Sequence, residues 1–199
     1  MAIRDRQTLI TDIVSKVLSQ SPQLDKTFDW FINKHNKEYF GGHFALIDKL
    51  FKLLKGDTTA NQTKRTMSLN CDAYFGGHSN FMFEFDEFQH FSSARQLTIE
   101  HYPDNLKLNF SSSQWKQICS TNKARADKYR HNKSTVDFAF AGGRTFQRAY
   151  LDSFRDLLPT LHGLRPTLRI NEFEVADIYS SDNEACKKVE KLIKSKLIH

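Results

Sequence analysis

The chain has 199 residues, 39% apolar and 26% charged, with a formal net charge of +6. That length carries one well-cored domain and is short for two. Three scattered cysteines (Cys71, Cys119, Cys186) without a CxxC pair suggest neither a disulfide framework nor a cysteine-based zinc site, and no run of 18 apolar residues offers a membrane span. The N-terminus has charges too early and apolar runs too short for a signal peptide, so a cytoplasmic setting is expected. The 17 phenylalanines point to a large aromatic core.

In chain order, Ile10, Ile13, Val14, Val17 and Leu18 have the spacing of an amphipathic helix over 7–19. Ser21-Pro22 breaks it, and Asp25 is expected to cap a second helix to about Asn36, with Phe28, Phe31 and Ile32 inward. This pair reads as an accessory cap or the arm of a homodimer. Residues 43–55 predict a third helix, apolar around much of its circumference and stopped by Gly56. A loop or weak strand over 57–65 precedes two strands at about 66–74 and 79–87.

Helices are expected over 92–102 and from Ser112 or Ser113 to about Tyr129, then a basic loop and a short strand near 135–140. Gly142-Gly143 marks a turn before a helix over 144–161, and Pro166 introduces a strand, TLRINEFEV. A last helix starts at Asp182. The order strands, helices, strand argues for an α/β fold: a mixed central sheet flanked by helices, with an N-terminal helical extension (1–40), a long helical insertion (92–143) and a C-terminal helix (182–197).

The chemistry concentrates in Cys71–Phe91, CDAYFGGHSNFMFEFDEFQHF. A strand alternates its faces, so Glu84 and Asp86 share one side, and Asp72 on the neighbouring strand can reach the same spot. The surrounding Phe81, Met82, Phe83 and Phe85 mark the strand as central, where acids need a partner or a cation. Three converging carboxylates ask for a divalent metal ion. Glu87, Gln89 and His90 close the strand, where α/β sheets bind ligands, and His90 is poised for proton transfer.

Charge placement adds a second signal. Residues 91–150 hold ten Lys or Arg against four acids, so the whole positive excess follows the acidic strand. A polyanion is the partner such a segment favours, with Arg125, Lys128 and Arg130 as its centre.

The pattern Asp72, Glu84-x-Asp86, Gln89-His90 resembles the PD-(D/E)XK nuclease superfamily, in its very-short-patch-repair-like branch. Further matching pieces are Asp152-Ser153-Phe154-Arg155-Asp156, Gly163, Leu168-Arg169-Ile170 and Glu174-Val175, and Asp48 stands where those enzymes often carry an acid. The likeness covers about 43–91 and 144–175, a restriction-endonuclease-like core. Glu87 replaces the usual small residue, and no lysine occupies the motif's last position. The resemblance implies DNA phosphodiester hydrolysis with Mg²⁺ (or Mn²⁺) on Asp72, Glu84 and Asp86, and with Gln89 or His90 positioning the nucleophile. Glu87 is a further candidate for the catalytic set, depending on strand register. Arg95, Arg144, Arg148 and Arg155 are the phosphate-contact candidates, although Arg155 is better read as pairing internally. A non-catalytic nucleic-acid-binding protein on the same fold is the alternative.

Overall fold

The computed structural model describes residues 3–197. In order the elements are α1 (Ile3–Leu18), β1 (Gln23–Leu24), β2 (Thr27–Ile32), α2 (Lys37–Phe40), α3 (Phe44–Leu53), α4 (Thr58–Thr63), β3 (Ser68–Asn70), β4 (Ala73–Phe75) and β5 (Phe81–Asp86). There follow α5 (Ser93–Glu100), α6 (Ser112–Lys128), α7 (Gly143–Leu161), β6 (Arg165–Asn171) and α8 (Asn183–Lys196). A four-stranded mixed sheet runs β1-β4-β5-β6, and β2 pairs with β3 in a separate ribbon. β4 and β5 are antiparallel; β6 returns parallel to β5 after α5, α6 and α7, bringing Glu84 opposite Arg169 and Asp86 opposite Asn171. No helix among the described residues is long and apolar enough to cross a membrane.

The alternation of β5 and β6 divides the interior into two layers. Phe81, Phe83, Phe85, Leu168 and Ile170 face α1 and α8, meeting Ile10, Ile13, Val14, Val189 and Ile193. Met82 faces the other way, into a layer with Phe51, Trp115, Tyr150, Phe154, Leu157 and Leu158. Glu84, Asp86 and Arg169 share that second side and meet the acids and arginine of α7. Apolar residues thus fill one face of β5 completely, while the other face mixes apolar contact with buried charge.

Several expectations change. The helix expected over 25–36 is a turn and strand β2: Asp25 lies at φ 50 instead of capping, and Thr27–Ile32 is rich in β-branched and aromatic residues. The helical spacing of Phe28, Phe31 and Ile32 is fortuitous. α1 is no outlying extension, since Ile10, Ile13 and Val14 are fully buried against the sheet. Within residues 57–65 lies α4 (Thr58–Thr63), started by the Asp57 side chain accepting from Ala60 N–H at 2.9 Å. The strand expected over 66–74 splits at Cys71–Asp72 into β3 and β4, which belong to different sheets. Thr135 and Phe138 make only an isolated bridge, and β6 stops at Asn171, where Glu174 and Phe173 fold back onto the Asn171 side chain.

The segment expected as an insertion is core as well. Ala94 and Ile99 of α5 and Trp115 and Cys119 of α6 are all buried in the layer beneath α7. α7 begins where Gly142 takes φ 82, and a Cβ on Gly143 would come within 1.9 Å of the Phe138 carbonyl oxygen. The double glycine is therefore a tight turn that seats the helix.

Candidate metal centre and basic rim

β5, β6 and α7 position the site. Strand periodicity sends Glu84 and Asp86 to one side, and the helical repeat brings Asp152, Arg155 and Asp156 of α7 down onto them. Arg169 of β6 sits between: its Nη1 donates to Asp86 Oδ1 at 2.6 Å, and its Nε to Asp156 Oδ1 at 2.7 Å. Arg95 of α5 pairs with Asp156 at 2.7 Å, and the Tyr102 hydroxyl donates to the same carboxylate at 2.6 Å. Arg155 reaches Glu84 at 2.9 Å. Trp115 Nε1–H donates to Asp86 Oδ2 at 3.0 Å, while Lys196 lies 4.5 Å over the indole ring.

The carboxylates expected to share one cation are thus largely neutralised by arginine. Asp72 accepts the Phe85 backbone N–H at 2.8 Å, and burial pushes its carboxyl up to about 6. Burial pushes Glu84 up to about 8 against the pull of Arg155, whose own value rises beside Glu84 and Asp152. Glu84, Asp86, Asp152 and Asp156 face Arg95, Arg155 and Arg169, one acid more than there are arginines. A proton on Glu84 can balance that surplus near neutral pH; a bound cation could do the same.

Asp86, His90 and Asp152 offer ligand atoms all within 4.8 Å of one another, a group that can hold a metal ion. His90 Nδ1 lies 2.9 Å from Asp152 Oδ2 and 3.6 Å from Asp86 Oδ1. Burial alone would raise Asp152, but His90, Arg169 and Arg95 outweigh it and hold the carboxyl well below the usual range. His90 is the exposed member, with 19% of its side chain open against 1–2% for the two acids. The donor set of two carboxylates and an imidazole suits a divalent ion of intermediate hardness.

The expected metal trio therefore changes membership. Asp86 stays, while Asp72 and Glu84 lie outside the group among the described residues. Asp152 joins it as a ligand that strand-based reading overlooks, although it opens the matched helix motif; its signal is an acid on an inward-facing apolar helix. Glu87 and Gln89 bond to each other on the turn between β5 and His90. Asp48 ends on Lys52 and His35 instead of joining the cluster.

The basic candidates separate in the same way. Arg95 is 1% exposed and tied to Asp156 and Tyr102, so it cannot touch a nucleic acid, and the buried Trp115 cannot stack a base. Arg125, Lys128, Arg130 and Arg144 are exposed, and Arg148 is half-buried. Arg125 stacks 3.9 Å over Phe88, Phe88 meets Tyr129 edge-on, and Arg130 and Arg148 flank Tyr129 at 5.2 and 5.9 Å. Phe88 lies two residues before His90, so this basic, aromatic rim borders the metal cluster.

Comparison of the chain with protein-family models, with curated proteins and with solved structures returned no match.

Proposed function

We propose that this chain is a metal-dependent DNA endonuclease built on a restriction-endonuclease-like core. The observation that carries the reading is the meeting of Asp86, His90 and Asp152 within 4.8 Å, next to a rim of exposed arginine and lysine. Acids alone would repel a polyanion; acids able to hold a cation beside unpaired basic residues attract one. Mn²⁺ fits the donor set better than Mg²⁺, because an imidazole is a softer ligand than the oxygens Mg²⁺ prefers. A divalent ion held there would offset charge on the scissile phosphate and acidify a water.

The chain's own residues have separate tasks. Trp115 and Arg169 orient Asp86, and the Asp86 side chain enters the cluster already fixed. Either ring nitrogen of His90 can serve as the ligand atom, and ligation through Nδ1 would exchange its hydrogen bond to Asp152 for the metal. Arg125, Lys128, Arg130 and Arg144 track the phosphate backbone.

One observation favours the alternative, a nucleic-acid-binding protein without catalysis: Glu84 and Asp86 each already bear an arginine. Incubating supercoiled, linear and single-stranded DNA with Mn²⁺ or Mg²⁺, beside an Asp152→Asn variant, separates the two. Cleavage by the wild type and its loss in the variant are expected. Binding without cleavage under every condition selects the alternative.

A further inference from the structure

Arg148 differs from the other arginines around the site. Arg95, Arg155 and Arg169 each end on carboxylates. Arg148 lies on α7 two turns before Arg155 and is half-buried, yet its hydrogen bond is to a carbonyl, from Nη1 to the Gln89 oxygen at 3.2 Å. Among the described residues it makes no ion pair. A guanidinium carries five N–H donors in a rigid fork, so most of its donor capacity remains unused. Removing a cation from water without a partner is costly, and burial accordingly lowers its pKa.

Its placement says what that capacity faces. Arg148 is one helical turn before Asp152, and residues four apart share a face. Gln89, whose carbonyl it holds, directly precedes His90, and His90 bonds back to Asp152. The four residues thus close a ring through the turn after β5, which fixes the guanidinium beside the metal cluster. Tyr129 covers one side at 5.9 Å.

We propose that Arg148 is the phosphate-binding residue of this centre, donating its free N–H groups to a non-bridging oxygen of a phosphate or phosphodiester held against Asp86, His90 and Asp152. That the phosphodiester belongs to DNA rests on the nuclease reading; the anion site itself does not. The exposed arginines and lysines of the rim supply long-range attraction, while Arg148 supplies the fixed, directional contact.

Calorimetric titration with inorganic phosphate in the presence of Mn²⁺ tests this, on wild type, Arg148→Gln, Arg148→Lys and a charge control, Lys191→Gln on the exposed side of α8. Arg148→Gln should weaken phosphate binding at least tenfold, Arg148→Lys should recover part of it, and Lys191→Gln should leave it unchanged. Unaltered melting of Arg148→Gln confirms that the fold is kept, as expected for a side chain without an acid partner. Equal phosphate affinity in Arg148→Gln, or no phosphate binding by the wild type at millimolar concentration, overturns the proposal. A wild type that binds phosphate through Arg148 yet cuts no DNA removes the nuclease reading and leaves the anion site standing. Equal DNA cleavage by Arg148→Gln removes Arg148 alone.

Discussion

Two neighbouring regions of this molecule use the same residue types in opposite ways. Beneath α7, the arginines Arg95, Arg155 and Arg169 are sealed against Glu84, Asp86 and Asp156 at 2.6–2.9 Å. A few residues away, around the turn that carries Phe88 and His90, arginines lie on aromatic rings and carbonyls instead. In the first arrangement every arginine is ion-paired with a buried acid. The second has donors to spare. Buried charge alone therefore does not mark a binding site, because an internal partner can account for it.

The sharpest way to break the contrast is to remove a shared partner inside the closed network. Arg169→Met should destabilise the fold by about 3–5 kcal/mol, because Asp86 and Asp156 lose their common cation in a dry interior. Thermal melting should show a drop of roughly 10 °C for a chain of this size. A melt within about 2 °C of wild type would mean that water or a rearranged Arg95 takes over the role.

Triple replacement of Arg125, Lys128 and Arg130 by alanine should act on the open region alone. DNA affinity should fall, and the slope of log affinity against log salt should flatten by up to about 3, near one for each phosphate that is no longer neutralised. The melting temperature should barely move, since these side chains are exposed.

Acid stability provides a smaller test. Burial would raise Asp137, but hydrogen bonds from Lys64 and Asn61 and the Lys64 charge outweigh it and lower its pKa. A carboxyl lowered on folding stabilises in full above its unfolded value near 4, and the contribution is lost as pH falls through the lower folded value. Stability should therefore decline below about pH 4, and Asp137→Asn should flatten the decline. An unchanged pH profile in that variant would show that Asp137 does not govern acid stability.

The smallest effect is chemical. Burial pushes the thiols of Cys71 and Cys119 up to about 12, while Cys186 is only half-buried. A thiol reagent at pH 8 should modify Cys186 in the native protein and the other two only after unfolding. Labelling of Cys119 under native conditions would show that the layer beneath α7 opens readily.

What the sequence makes legible follows the strength of each local signal. Helices α3, α7 and α8 combine an apolar face with clear boundaries at Gly56, Gly142 and Asp182, and their expected spans lie close to those observed. β5 announces itself by its run of phenylalanines. β2 reads as a helix because Phe28, Phe31 and Ile32 fit a helical spacing, while its β-forming composition says otherwise. The site is legible in part: Asp86 and His90 stand out on the strand and its turn. Asp152, however, enters only through the packing of α7, and the arginines that occupy Glu84 and Asp86 come from positions 71 and 83 residues further along. Pairings at that separation leave no local pattern to read.

The decisive question is where a divalent cation binds. Mn²⁺ titration followed by electron paramagnetic resonance, on wild type, His90→Ala and Glu84→Gln, answers it. The wild type should bind Mn²⁺, His90→Ala should lose at least tenfold in affinity while keeping its fold, and Glu84→Gln should stay close to wild type. Mn²⁺ binding that survives His90→Ala but disappears in Glu84→Gln, or no binding by the wild type, would contradict a centre made of Asp86, His90 and Asp152.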